Sequence, residues 1–568
     1  MSKILLAAVN ASFSHTNIAV RSISLYCENP EVSFGEWTIN QMMFEVLREI
    51  REKNPQMVIF SVYIWNVDFI EKLVKNLKAL DSSIIIGAGG PEVSFCAENV
   101  LENLPELDFV IQGEGEETVK EISQKFFENK TKTKTEFFES LKDVKGVFFR
   151  SCENKILFTK SRPLISDLSL LKFPYSEITE GDHKIFYYES SRGCPFSCAY
   201  CMSSLDKRVR FMPLERVKKD LQFFLDLKVK LVKFVDRTYN LDEKRYLEIW
   251  KYILDNHNGC TKFHFEIEAE FLSENAINFL QNVPENVFQF EIGVQSVNPK
   301  TLSAVSRSPE TEKLFHNVKR LPKTIPCHLD LIAGLPFENL ESFGKSFDSV
   351  MNLAPDEMQL GFLKVLYGTQ MKEFAEKNGF KFLKTAPYEV LSTPFLSFEE
   401  ICFLKDLEVL LDVFYNSGNF KKSSIYAGRV YGFWKFFCEA VEMARIKNVF
   451  DSQRNLSFWF EFFADFAEFK KDSVLIELLR FDFVKSGKKG SFPSWYSHHY
   501  DKELHKKALD EHDGITNCRL NFAYSEYEEF SVNPLDSFPE TTGKSRILFY
   551  YKNYKNKSDF SEERQILL

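Results

Sequence analysis

Three of the chain's eleven cysteines lie within eight residues, in Ser191-Arg192-Gly193-Cys194-Pro195-Phe196-Ser197-Cys198-Ala199-Tyr200-Cys201. The spacing is C-x3-C-x2-C. A structural zinc site normally takes four protein ligands, and no fourth Cys or His stands nearby, so a zinc reading is one ligand short. An iron-sulfur cube held by three thiolates keeps one iron without a protein ligand, open to a substrate or cosubstrate. Zinc and a chance cluster remain the blander alternatives. The other cysteines, Cys27, Cys96, Cys152, Cys260, Cys327, Cys402, Cys438 and Cys518, stand alone and read as ordinary buried thiols. An odd count in a reducing cytoplasm argues for free thiols, ligands or nucleophiles rather than a disulfide framework.

Two alternating series of elements must position these residues. In the first 130 residues KILLAAVN, QMVIFSVYIWN, SSIIIGAGG and LDFVIQGEGEE are short β-rich apolar runs, and VSFGEWTIN is a more polar one that suits an edge strand. Amphipathic stretches lie between them, such as VDFIEKLVKNLKAL with Phe69, Leu73, Leu77 and Leu80 at helical spacing. The pattern predicts an α/β domain over 1–135, a five-stranded, doubly wound, flavodoxin-like parallel sheet. Such sheets bind ligands beyond the carboxyl ends of their strands, which singles out Asn10 to Thr16, Ser61 to Asn66, Gly87 to Pro91 and Gly113 to Glu116. Gly87-Ala88-Gly89-Gly90-Pro91 lacks the full G-x-G-x-x-G spacing and the Walker lysine, so by itself it reads as a tight strand-to-helix turn.

Residues 136–183 read as a connector that includes a hairpin, GVFFR and KILFTK. A second series follows over 184–390, with strand candidates IFYYESS, VKLVKFVD, KFHFEIEAE, VFQFEIGVQS, IPCHLDLIAGLP and EMQLGFLKVL. These six β/α units predict a partial (β/α)6 barrel with its site at the strand carboxyl ends, and the cysteines follow its first strand. Residues 391–568 read as a mostly helical, aromatic-rich domain in which EEICFLKDLEVLLDVFYNSG ends at Gly418 and RILFYYKN resembles a strand. The 58 Phe are read as core. Lys207-Arg208-Val209-Arg210 reads as a solvated charge run, although Arg210 could pair with a carboxylate.

The cysteine triad, Tyr200 before its last member, and the β/α series resemble the radical S-adenosylmethionine (SAM) superfamily. That resemblance implies a [4Fe-4S] cluster on Cys194, Cys198 and Cys201, with SAM chelated at the open iron and cleaved to a 5'-deoxyadenosyl radical. Glu291-Ile292-Gly293-Val294-Gln295-Ser296 and Asp330-Leu331-Ile332-Ala333-Gly334-Leu335-Pro336 look like the family's fourth- and fifth-strand motifs, and Asp236 and Glu268 should by similarity face the same site. The doubly wound sheet ahead of the barrel, with V-N-A-S-F-S-H-T-N, S-V-Y-I-W-N, G-G-P and G-E-G-E-E at its strand ends, resembles the B12-binding radical SAM proteins over roughly the first 365 residues. D-R-T-Y-N from Asp236 and the helical extension resemble a subset with a carboxyl-terminal domain of unknown function. By the same resemblance Asn10, His15, Ser61, Tyr63, Trp65, Gly89, Gly90, Gly113 and Glu114 line the cobalamin site, with Ser61 and Gly89-Gly90 at the nucleotide tail and Tyr63 and Trp65 nearer the corrin.

One departure shapes the expectation. Proteins that ligate cobalamin through histidine carry D-x-H-x-x-G; here Asp510-Glu511-His512-Asp513-Gly514 is one residue short and His15 lacks the Asp and Gly context. Cobalamin is therefore expected without a histidine beneath it, as in the radical methylases. The leading expectation is methylation of an unactivated carbon or phosphorus centre: one SAM methylates cobalamin and a second supplies the radical. The alternatives are a radical reaction that uses cobalamin for a rearrangement or ring closure, and a non-catalytic cofactor-binding sensor. The expected partners are a small-molecule substrate and an electron donor such as flavodoxin or ferredoxin. A net charge of -9, from 72 Lys plus Arg against 81 Asp plus Glu, argues against capture of nucleic acid or anionic membrane. No apolar run is long enough to span a bilayer and MSKILLAAVN lacks a signal-peptide pattern, so the expected location is the cytoplasm.

Overall fold

The computed structural model describes residues 3–128, 133–151, 153–179, 184–487, 492–512, 525–536, 544–550 and 565–568. Cys152, Cys518 and Gly514 lie outside the described residues. The chain forms two compact units, residues 1–339 with 361–397, and residues 340–360 with 398–568.

The first unit begins with strands β1 (Ile4–Asn10), β2 (Val32–Thr38), β3 (Met57–Ser61), β4 (Ile85–Gly89) and β5 (Phe109–Ile111), followed by β6 (Val147–Arg150) and β7 (Ile156–Phe158). Their order in the sheet is β2-β1-β3-β4-β5-β6-β7. The first five are parallel, as expected of a doubly wound sheet, and β2 is the edge. β1 is buried along its whole length, because helices cover both faces. The expected helix spans Val67–Leu80, but it buries Ile70, Leu73, Val74 and Leu77 and leaves Leu80 exposed.

The hairpin expected in the connector belongs to this sheet. β6 pairs antiparallel with β5, and β7 with β6, so the sheet has seven strands and passes the expected boundary at residue 135. The reason is burial: Val147 and Phe149 alternate into the core, and without them β5 would present a bare edge.

A second sheet comprises β8 (Ile185–Tyr188), then, after a small ribbon of β9 (Ser191–Arg192) and β10 (Arg210–Phe211), β11 (Leu231–Phe234), β12 (Lys262–Glu266), β13 (Phe288–Gln295), β14 (Cys327–Ala333) and β15 (Glu357–Phe362). The order is β15-β14-β13-β12-β11-β8, with sequential neighbours side by side as in a partial β/α barrel. A two-stranded ribbon of β16 (Lys381–Phe382) and β17 (Val390–Ser392) follows.

The second unit is mostly helical, with helices Phe398–Leu411, Lys421–Tyr431, Phe433–Ile446, Leu456–Lys470 and Ser473–Lys485 and a three-stranded antiparallel sheet of β18 (Ser525–Phe530), β19 (Ser545–Tyr550) and β20 (Gln565–Leu567). Phenylalanine fills its core: the Phe414 and Phe463 rings lie 4.8 Å apart and Phe420 and Phe460 4.3 Å apart. Among the described residues no helix is long and apolar enough to cross a membrane.

Candidate active site

The three cysteines sit on one loop, residues 193–209, whose neck is the antiparallel pair β9 and β10. Gly193 enters the loop at φ +91°, and a Cβ there would stand 2.5 Å from the Arg208 carbonyl oxygen, so only glycine fits. The Cys194 amide donates to Asp206 O at 2.9 Å, the Cys201 amide to Cys198 O at 3.0 Å, and the Ala199 amide to Val305 O at 3.0 Å. Thr238 Oγ1, of the D-R-T-Y-N run, lies 3.6 Å from Cys194 Sγ.

Asp236 holds the approach to this loop. Its carboxylate, 1% exposed, accepts from the Ser190 amide at 3.0 Å and the Ser190 and Ser191 hydroxyls. Burial pushes its carboxyl up to about 6, against those hydrogen bonds. A folded-state value above the unfolded one means that the unfolded chain releases its proton first, so stability falls as pH rises from about 4 through 6. Thermal unfolding of the cofactor-free protein should therefore become easier across that window by about 3 kcal/mol. In Asp236→Asn this component should vanish, and an unchanged pH slope would show that another group carries it.

Arg307, which the sequence reading passed over, joins three expected site residues. Its guanidinium donates to both oxygens of Glu268, at 3.1 and 2.9 Å, and to Gly293 O at 2.8 Å, and lies 3.9 Å from Cys198 Sγ. Burial raises Glu268, Cys198 and Tyr200 above their ordinary ranges, and Arg307 opposes each shift. The only sequence signal was an arginine twelve positions beyond Gln295, after the short helix Pro299–Ala304. Gln295 has φ +69° and a buried Oε1 with no hydrogen-bond partner, a polar atom left for a bound group. Ser296 donates to Glu338 at 2.6 Å, and Leu335 is fully buried. Gly334, at φ +89°, lies where a Cβ would come within 2.6 Å of Val390.

The two faces of the barrel sheet differ sharply. Phe186, Phe234, Phe263, Phe265, Phe288 and Phe290 alternate to the helix-covered side, where Trp250 packs 5.6 Å from Phe290. Tyr187, Lys233, His264, Glu266, Gln289, Glu291, His328 and Asp330 alternate to the opposite, concave side. Lys233 and His264 both contact Glu291 Oε2, at 3.1 and 2.9 Å, and Gln289 bonds His328 at 2.6 Å. The His264 hydrogen bond and Lys233 overcome burial and hold Glu291 down to about 2. Closed β/α barrels fill this space with Val, Ile and Leu. A charged lining suits a polar guest.

The first sheet brings its own strand-end residues to one place. Asn66 stitches the ends of β1 and β3, donating to Val9 O at 2.8 Å and Ser61 O at 3.1 Å and accepting from the Tyr63 amide at 2.8 Å. Tyr63 and Trp65 stack with centroids 4.3 Å apart, and Trp65 is 47% exposed. Gly90 has φ +112°, and a Cβ would approach Val62 O to 2.4 Å, so the turn itself requires glycine. Beside it a cavity of about 140 Å³ opens under Val62 and Ala88, between the helices Val67–Leu80 and Ala97–Asn103. Its lining is mixed, with Val67, Ile70 and Val74 beside Glu71, Glu92 and Asn99. Gly113, at φ +83°, faces open space.

His15 is turned toward the barrel instead, and Asn10 holds its loop. Asn10 donates to His15 O at 3.0 Å, His15 Nδ1 hydrogen-bonds Tyr187 OH, and the Ile185 amide donates to Ser14 O at 2.7 Å. Glu114 likewise pairs with Arg192 and Arg210. Arg210 is therefore not part of a solvated run: it is 6% exposed, because the carboxylates around it replace water.

Among the described residues no three Cys, His, Asp or Glu side chains are gathered as the ligands of one metal ion would be. A four-iron cube is larger than an ion and spreads its thiolates accordingly, and three thiols without a fourth ligand are the donor set it takes. The orphaned Gln295 Oε1 likewise leaves an acceptor for a polar group such as those of SAM.

Comparison with known proteins divides the chain in the same way. The B12 binding domain matches residues 4–123, the Radical SAM superfamily residues 188–350, and a protein of unknown function, DUF4080, residues 376–533. An uncharacterized methyltransferase of Pyrococcus horikoshii is 24% identical over 376 residues, 62% of this chain and 77% of that protein. The cobalamin-dependent radical SAM methyltransferase TokK of Streptomyces tokunonensis is 23% identical over 53% of this chain, which spans 46% of TokK. The radical SAM methyltransferase TsrM of Kitasatospora setae, solved with cobalamin and a [4Fe-4S] cluster, shares the fold at a TM-score of 0.54 and 14% identity, covering 68% of this chain and 80% of TsrM. The chain thus carries a B12-binding domain, a radical SAM domain and a DUF4080 domain in sequence.

Proposed function

We propose that this enzyme transfers a methyl group from SAM to an unactivated carbon or phosphorus centre of a small polar molecule. When bound, the cluster and SAM supply a 5'-deoxyadenosyl radical and cobalamin supplies a methyl carrier. The observation that carries the reading is one compact unit in which the three-cysteine loop, the strand-end loops of the B12-binding sheet and a charged concave barrel face occur together. In this reading Cys194, Cys198 and Cys201 hold the cluster. Tyr200, Glu268, Gln295, Ser296, Gly334 and Leu335 border SAM, and Asp236 positions the loop that carries the cysteines. Ser61, Gly89 and Gly90 face the nucleotide tail, with Tyr63, Trp65 and Gly113 at the corrin. Lys233, His264 and Glu291 supply charge and hydrogen bonds to an ionised substrate group, and a low-potential protein such as flavodoxin or ferredoxin delivers electrons.

Product stoichiometry tests the reaction. In reconstituted enzyme with its substrate, each methyl transferred should be accompanied by one S-adenosylhomocysteine and one 5'-deoxyadenosine, and Cys201→Ala should lose the latter. 5'-Deoxyadenosine formed with neither S-adenosylhomocysteine nor a methylated product would reject methyl transfer in favour of a rearrangement.

The position of His15 carries a further expectation. Because its loop lacks the D-x-H-x-x-G context and its ring lies against Tyr187 of β8, with centroids 5.9 Å apart, we assign it no place beneath the cobalt. Electron paramagnetic resonance of the Co(II) form should lack axial nitrogen splitting. A nitrogen triplet that disappears in His15→Ala would overturn that assignment.

A further inference from the structure

The neck of the cysteine loop is tied to the B12-binding sheet through a buried group of charges. β9 and β10 place Arg192 directly opposite Arg210, an arrangement in which like charges repel. Both guanidinium groups reach one carboxylate oxygen, Glu114 Oε1, at 3.1 Å from Arg192 and 2.8 Å from Arg210. Arg192 also donates to Glu116 at 2.6 Å and to Glu189 at 2.8 Å, and Arg210 to Asp206 at 2.6 Å and Ile165 O at 2.6 Å. The second oxygen of Glu114 accepts from the Ile165 amide at 2.7 Å. Two arginines thus meet four carboxylates, and the arginine side chains are only 14% and 5% exposed, beyond easy screening by salt. Burial would raise Glu116, but Arg192 and Arg210 bring it below the ordinary carboxylate range.

Local structure aims these carboxylates. Gly113, at φ +83°, turns the chain at the end of β5, and the helix Gly115–Glu128 carries Glu116 in its first turn, where the helix favours negative charge. The G-E-G-E-E run therefore meets the cysteine loop at its neck, one residue from Gly193.

We infer that Glu114 and Glu116 are positioning residues that act through Arg192 and Arg210 to fix the neck of the cysteine loop against the B12-binding sheet. A rigid neck holds the two cofactor sites at one separation, as transfer from one SAM position to both chemistries requires. The inference rests on the proposed function only for that consequence; the clasp itself is a property of the chain.

The test compares the full-length wild type with Glu114→Gln/Glu116→Gln, which keeps side-chain size and removes the charge. In hydrogen exchange of the protein without added cofactors, amides of residues 191–211 should exchange about tenfold faster or more in the variant, while β3 and β13 remain as in wild type. In the reconstituted holoenzyme, S-adenosylhomocysteine formed per 5'-deoxyadenosine should fall about tenfold, with iron content and 5'-deoxyadenosine rate within about twofold of wild type. Unchanged neck exchange, faster exchange everywhere at once, or an unchanged product ratio would overturn the inference. A wild-type holoenzyme yielding neither product would count against the methyltransferase reading, and the exchange result would still decide the clasp.

Discussion

Replacing Cys194, Cys198 or Cys201 with alanine should strip the anaerobically purified protein of its brown colour and its roughly four irons per chain. The loss should be nearly complete for each single variant. The open-iron arrangement already uses all three thiolates, and a cube with two protein ligands has no other thiol on the loop to recruit. Cys438→Ala is the control: its thiol sits in the helix Phe433–Ile446, and burial raises its pKa to about 12, so it is an inert thiol. SAM cleavage should fall to background in the three loop variants and persist in the control. Full iron content in the triple variant would sink the cluster assignment.

Arg307→Met should have the next largest effect, by a different route. The side chains of Arg307 and Glu268 are 14% and 17% exposed, so removing the cation leaves a carboxylate without its partner in a largely dry site. Such a loss typically costs about 3 kcal/mol or more. It also removes a positive charge beside Cys198 Sγ, so an electron entering the cluster is less well stabilised and the reduction potential should fall, by an amount of order 100 mV. Arg307→Lys keeps the charge and loses the fork, so it should restore most of the potential and less of the stability. Redox titration followed by electron paramagnetic resonance reads the first quantity and thermal unfolding the second. A potential unchanged in Arg307→Met would show that the guanidinium acts on Glu268 alone.

The second unit invites no such assignment of chemistry, but its packing explains its composition. Arg480, 1% exposed, is paired with Glu477 at 2.7 Å and with Glu528. In the helices Leu456–Lys470 and Ser473–Lys485, Phe460, Phe462, Phe463, Phe466, Phe481 and Phe483 are buried and Phe469 is exposed, so most of the Phe there is core.

Much of this protein was determined by local sequence. The C-x3-C-x2-C spacing confines three thiols to one loop whatever surrounds it. The strands of the barrel were legible because they alternate an apolar face, rich in Phe in β12 and β13, with a polar one, a period that a strand satisfies. Gly90, Gly193 and Gly334 mark their turns because no side chain tolerates those conformations in that space. Tertiary structure alone decided the rest, because it depends on which distant groups share a dry site. Nothing local says that VFFR and ILF extend the first sheet, since a hairpin's register partner is chosen by the edge it finds. Nothing near Arg210 says that it is buried, since the charge run looks solvated until Glu114, ninety-six residues earlier, is placed against it. Arg307 had no motif of its own, and became a site residue only when the barrel brought Glu268 and Cys198 to it. Charges in water are independent of one another, and it is exclusion of water by the fold that makes each of these pairs obligatory.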